Sequence, residues 1–170
     1  MDDPVALTQA LVRIDSSNPV LGSTPGPAET EIAHYIGSWL EHRNIETHRI
    51  EPMKGCPSIV GIVRGSGGGK SLMFNGHIDS VTTLGYDDNL FSGETKERKL
   101  YRRGAGDMKC GIAAVVFALA ASKGQALRGD VIFTGVADED IGTEQVLGAD
   151  WRADDSIVAE STGEDTISCA

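Results

Sequence analysis

Three apolar segments in this chain each run into an acid or a histidine. Leu72-Met73-Phe74-Asn75 leads to Gly76-His77-Ile78-Asp79, Val131-Ile132-Phe133-Thr134-Gly135 leads to Asp138-Glu139-Asp140, and Ile157-Val158-Ala159 ends at Glu160. A fourth segment, Gly104-Ala105-Gly106-Asp107, opens an apolar helical run. Open sheets with parallel strands place their ligands at the carboxyl ends of the strands, so this pattern predicts one site fed by several strand ends.

The rest of the pattern supplies the layers such a sheet needs. Asp3-Pro4 reads as an N-cap and first helical position, followed by Leu7, Leu11, Val12 and Ile14 at helical spacing. Pro27 reads as the start of a second helix with Ile32, Tyr35, Ile36, Trp39 and Leu40 on one face. A third is expected over 111–122, stopping near Lys123-Gly124. Strands are expected over 47–51, 58–63, 71–75, 131–134 and 157–159, with 65–69 as a hairpin-like turn joining the second and third. The alternation predicts an α/β fold: a mixed, largely parallel sheet with helices on both faces.

Composition narrows the class. Fifteen basic against 25 acidic residues give a net charge of −10, and the basic residues are scattered, which argues against a nucleic-acid partner. At 40% hydrophobic the chain is too apolar for disorder, and 170 residues suit one domain. Cys56, Cys110 and Cys169 have no metal-type spacing and are odd in number, which predicts no disulfide framework. The acidic start Met1-Asp2-Asp3-Pro4 lacks the features of a secretory signal. The longest apolar run, 112–121, is about half of the roughly 20 residues of a membrane span, so no membrane partner and a cytoplasmic setting are expected.

Acids gathered at neighbouring strand ends repel one another unless a cation lies between them, and Lys109 alone does not balance them. A divalent metal, or a pair, answers this: imidazole nitrogen with carboxylate oxygens is a catalytic zinc donor set. His77 and Asp79 fit a ligand and the carboxylate that fixes its tautomer. Glu139 and Asp140 fit a division of labour, one holding metal and the other facing a water as general base.

These segments also carry a resemblance. Gly76 to Val81, Gly104 to Gly111 (Gly-Ala-Gly-Asp-Met-Lys-Cys-Gly), Asp138 to Glu144 and Ala159 to Gly163 follow one another in the order and spacing of a known family. Together with the opening Ile14-Asp15-Ser16-Ser17-Asn18-Pro19, they resemble the binuclear-zinc family of acetylornithine deacetylase, succinyl-diaminopimelate desuccinylase, aminoacylase and carboxypeptidase G. The resemblance implies a zinc-exopeptidase-like catalytic domain and hydrolysis of the amide bond of an N-acyl amino acid or small peptide. By the same resemblance two zinc ions, replaceable by cobalt, are held by His77, Asp107, Asp140 and Glu160. Asp107 would bridge them and Asp140 would serve the second. Asp79 would support His77, Glu139 would be the general base, and a cis peptide would follow Asp107.

The sequence departs from the family at Asp140, where glutamate is common, and at Gln145 and Ser161. It departs again at Arg102, where glycine is usual. Family members are roughly twice as long. The resemblance therefore implies that residues 1–170 are the N-terminal part of the catalytic domain. The inserted dimerisation domain, the C-terminal catalytic segment and a further histidine ligand would be absent, and the full-length form would be a homodimer. The apolar run over 167–170 is read the same way, as the end of a truncated chain.

Taken singly, each motif has a plainer reading. A lone His-x-Asp is ordinarily a hydrogen bond, an acidic triplet is ordinarily a solvated loop, and Cys110 reads as a small helix-packing residue. The glycine-rich 65–71 stretch lacks the spacing of a phosphate loop and is followed by a strand, not a helix. Two rivals to the enzyme reading are a truncated, non-catalytic metal-binding fragment and a nucleotide-binding α/β domain.

Overall fold

A computed structural model describes residues 3–19, 28–82, 90–97, 99–139 and 141–161. Asp140, the cysteine at 169, the 167–170 run and the expected helix start at Pro27 lie outside these residues.

Helix α1 spans Pro4–Arg13, with the Asp3 side chain accepting from the Val5 amide at 3.0 Å as the sequence predicts. Helix α2 spans Thr30–Glu41 and buries Ile32, Ile36, Trp39 and Leu40. Strands β1 (Glu46–Met53) and β2 (Cys56–Val63) form an antiparallel pair around a turn that Gly55 closes at φ +90°. Strand β3 (Leu72–His77) follows, then the short antiparallel pair β4 (Glu94–Lys96) and β5 (Lys99–Tyr101). A π-type turn at Ala105–Lys109 leads into α3 (Cys110–Ser122), which stops at Lys123 before Gly124 at φ +81°. Strand β6 (Val131–Val136), helix α4 (Gly142–Gly148) and strand β7 (Asp155–Val158) complete the described elements.

The main sheet runs β1-β2-β6-β3-β7. It is mixed: β3 pairs in parallel with β6 and β7, while β2 pairs antiparallel with β1 and β6. One correction follows. The 65–69 turn does not make a hairpin of β2 and β3, because β6 lies between them. Instead the turn packs on the segment entering β6. An added Cβ at Gly65 would lie 2.5 Å from the Gly129 carbonyl oxygen, and Asp130 accepts the Gly65 amide at 2.9 Å. Local turn chemistry was legible; the insertion of a distant strand was not.

Strand alternation sorts the core onto two faces. Ile59 and Phe133 face α1, α2 and α3, joining Leu7, Leu11, Ile36, Leu40, Ile112, Val116 and Leu119 in the larger cluster. Val60, Ile62, Met73 and Ile132 face the other way, covered by Trp151 just beyond α4, whose ring lies 4.7 Å from that of His48. The helical stretch Ala105–Ser122 is long and apolar enough for a membrane by length and composition. Its residues Ile112, Ala113, Val116 and Leu119 are instead buried against the sheet, as in a core helix.

A buried acid lies beside this core. Glu29 stands at the N-cap position of α2 and is fully buried; among the described residues its carboxyl has only the weakly donating Cys56 thiol nearby. Burial pushes its pKa up to about 7, outweighing the nearby Cys56 thiol that pulls it down, and the charges of Asp79 and Asp138 add to the rise. The folded chain therefore holds this proton more tightly than the unfolded chain does. Stability is expected to fall as pH rises from about 4.5 to about 7, on the order of 3 kcal/mol in all. Glu29→Gln should remove that slope and be the more stable form at pH 8, as read from urea midpoints at pH 5 and pH 8.

Candidate metal centre

The strand ends meet as the sequence predicts. His77 is the last residue of β3, Glu160 lies two residues past β7, and Asp107 sits in the π-type turn before α3. One ligand atom from each of these three lies within 4.8 Å of the others. His77 Nε2 is 2.9 Å from Asp107 Oδ1 and 3.5 Å from Glu160 Oε2, while Nδ1 is 3.0 Å from Asp79 Oδ1. The Asp107–Met108 peptide is cis, as the resemblance implied.

Both imidazole nitrogens thus rest on carboxylate oxygens. A neutral ring has one donor and one acceptor and cannot satisfy both. Burial lowers the His77 pKa, but Asp79 and Asp107 outweigh it and raise the value to about 9. A proton on the ring satisfies both carboxylates, and a cation taken up at Nε2 would displace it. The donor set fits a divalent metal: one imidazole nitrogen whose tautomer is fixed by Asp79, and two carboxylates. The side chains of His77 and Asp79 are 7% and 2% exposed against 69% for Asp107, so the centre has a closed back and an open front.

The remaining expected residues divide. Glu139 lines the same cleft as His77, Asp79 and Asp107, with its side chain on the solvent side. Asp140 lies outside the described residues. Cys110 is a correction: it is exposed on the first turn of α3, its Sγ 3.5 Å from the Gly106 carbonyl, and does not pack the helix against the core. Lys109 is fully buried and gives its ammonium to the Ile14 carbonyl at 2.8 Å. Burial lowers its pKa to about 8 against the opposing pull of Asp15 and Asp79.

One departure from the family pattern gains a physical reason, and one residue of the matching opening segment gains a role. Arg102 stands at φ +138°, a backbone conformation suited to the usual glycine. The side chain offsets the strain by tying the turn to the β4 region, donating to Ser92 Oγ at 2.8 Å and pairing with Glu94. Asn18 was noted only as part of the opening motif. Its amide nitrogen lies 3.0 Å from Asp79 Oδ2 and 3.3 Å from Asp138 Oδ2, and no periodicity signals that role.

Comparison with known proteins places the chain in a family. Residues 73–169 match peptidase family M20/M25/M40. The chain is 36% identical over 134 residues to the succinyl-diaminopimelate desuccinylase of Sphingopyxis alaskensis, covering 78% of this chain and 34% of that protein. Its fold matches the M20 family metallo-carboxypeptidase Sso-CP2 of Sulfolobus solfataricus with TM-score 0.76, at 20% identity over 95% of this chain and 38% of that one. It also matches the Bacillus subtilis YXEP protein, a dinuclear metal binding peptidase, with TM-score 0.59 at 19% identity, over 86% and 38% of the two chains. The chain belongs to peptidase family M20/M25/M40, a family of metallopeptidases and related amide hydrolases. It spans about a third of the length of the desuccinylase it matches.

The position of Glu160 depends on a missing methyl group. A Cβ at Gly111 would lie 2.2 Å from the carbonyl oxygen of Ala159. Gly111→Ala is expected to push the end of β7 away from α3, costing about 1–3 kcal/mol, and, by moving Glu160, to weaken whatever affinity the candidate centre has for a divalent metal. Gly148→Ala, with nothing within 4 Å of the new methyl, should leave both unchanged. Urea denaturation and chelator competition on the two variants check this.

Proposed function

We propose that this chain is the metal-holding part of an amide hydrolase acting on N-acyl amino acids or small peptides. The single observation that carries the reading is the convergence of His77, Asp107 and Glu160 within 4.8 Å, with Asp79 behind the imidazole. Residues 1–170 are read as the N-terminal part of a catalytic domain, a division supported by the partial coverage of the relatives. Zinc, with cobalt as a substitute, suits one imidazole and several carboxylates. His77 and Glu160 would hold one ion, Asp140 the second, and Asp107 both. Acetylated and succinylated amino acids are the substrate classes to try first, and the complete enzyme is read as a cytoplasmic homodimer.

When bound, a metal would supply Lewis acidity toward the scissile carbonyl and the attacking water. The chain's own residues do the rest. Asp79 holds His77 in one tautomer, so that Nε2 offers its lone pair forward. Glu139, at the rim of the cleft, accepts the proton of the attacking water on a carboxylate oxygen and delivers it to the leaving amine nitrogen. The buried back wall keeps solvent from competing behind the imidazole.

The test uses zinc content and hydrolysis of acetylated and succinylated amino acids, on this chain and on an extended one. Glu139→Gln should lower kcat by about 10²–10⁴-fold while zinc content stays at the wild-type level. Equal turnover in that variant removes Glu139 from the role. Zinc bound stoichiometrically by both forms, with no hydrolysis by either, establishes the non-catalytic metal-binding alternative instead.

A further inference from the structure

The segment that leaves α1 is fastened to the candidate centre at several points. Lys109 Nζ holds the Ile14 carbonyl at 2.8 Å, and Asp15 Oδ1 accepts from the Ser17 amide at 3.0 Å and the Ser17 hydroxyl at 2.6 Å. Ser17 then pairs with Ser80 in a parallel bridge, the Asn18 amide donating to the Ser80 carbonyl at 2.9 Å and the Ser80 amide to the Ser16 carbonyl at 3.0 Å. Residues 16–18 are thereby held beside the stretch that follows His77, and Asn18 is 1% exposed.

The side chain of Asn18 ends between two acids. Nδ2 lies 3.0 Å from Asp79 Oδ2 and 3.3 Å from Asp138 Oδ2. Each acid uses its other oxygen elsewhere. Asp79 Oδ1 meets His77 Nδ1 at 3.0 Å, and Asp138 Oδ1 accepts the Ile141 amide at 3.3 Å, closing the loop that carries Glu139. A connected path therefore runs His77–Asp79–Asn18–Asp138 to that loop. An uncharged group with two N–H bonds on one atom can donate to both acids without bringing in a proton or a cation; an aspartate of the same shape cannot.

We propose that Asn18 is a positioning residue of the metal centre, its amide bridging Asp79 and Asp138 so that the imidazole and the Glu139 loop keep one relative placement. This rests on the metal reading of His77, Asp107 and Glu160. Without the bridge, Asp79 and Asp138 face each other with like charge, beside the buried Glu29, and Asp79 loses the contact that orients it.

The experiment measures zinc affinity by chelator competition and the cobalt d–d absorption spectrum, in the 170-residue chain, for wild type, Asn18→Asp, Asn18→Ala and His77→Ala. Loss of an orienting partner behind a metal ligand typically costs 10–100-fold in affinity. Asn18→Asp and Asn18→Ala should each lose about that much, with an altered cobalt spectrum and an unchanged far-ultraviolet circular dichroism spectrum. Wild-type affinity and an unchanged cobalt spectrum in both folded Asn18 variants overturn the proposal while His77→Ala loses zinc. If His77→Ala binds zinc as wild type does, the metal reading itself fails. Should the Asn18 variants not fold, the side-chain amide of Asn18 in the wild-type chain decides by nuclear magnetic resonance. Two slowly exchanging protons that shift on zinc addition support the bridge, and a rapidly exchanging pair indifferent to zinc overturns it.

Discussion

The charge balance at the carboxyl rim of the sheet depends on one imidazole. His77 presents a nitrogen to Asp79 on one side and a second to Asp107 and Glu160 on the other. Carboxylates from three parts of the chain can gather there when something positive stands among them, whether a proton on His77 or a metal ion at Nε2. Much of the surrounding architecture serves that meeting. Strands β3 and β7 run in parallel so that His77 and Glu160 emerge at the same rim, and the turn before α3 brings Asp107 over them.

The sequence disclosed those parts that follow from local chemistry. An apolar run ending in His77 or Glu160 is a strand meeting a rim, and the Asp3-Pro4 start and the Lys123-Gly124 stop bound their helices as capping rules require. Strand order was not legible in the same way. Nothing in residues 65–69 announces that β6, more than sixty residues downstream, separates β2 from β3. The pairing is decided by which apolar faces fit across the whole sheet. Helix α4 and the β4–β5 pair were missed because seven residues and three residues are too short to show a period.

The candidate centre divides along the same line. His77, Asp79, Asp107 and Glu160 belong to motifs whose residue types state their chemistry. Asn18 and Lys109 act through position: an amide and an ammonium become informative only once a fold has buried them between acids or against a carbonyl. The exposure of Cys110 was illegible for the same reason, since helical spacing does not say which flank of α3 faces outward at its first turn.

The two margins of the sheet are unlike. Along β1, Glu46, Arg49 and Glu51 form a fence of ions, which discourages another backbone from docking there. Along β7, among the described residues, Ile157 and Val158 stand about half uncovered. Among the described residues, then, the sheet has one ionic flank and one open, apolar flank. The open flank is also the one whose strand leads to Glu160, so whatever lengthens the sheet there would arrive beside the acid that His77 already meets.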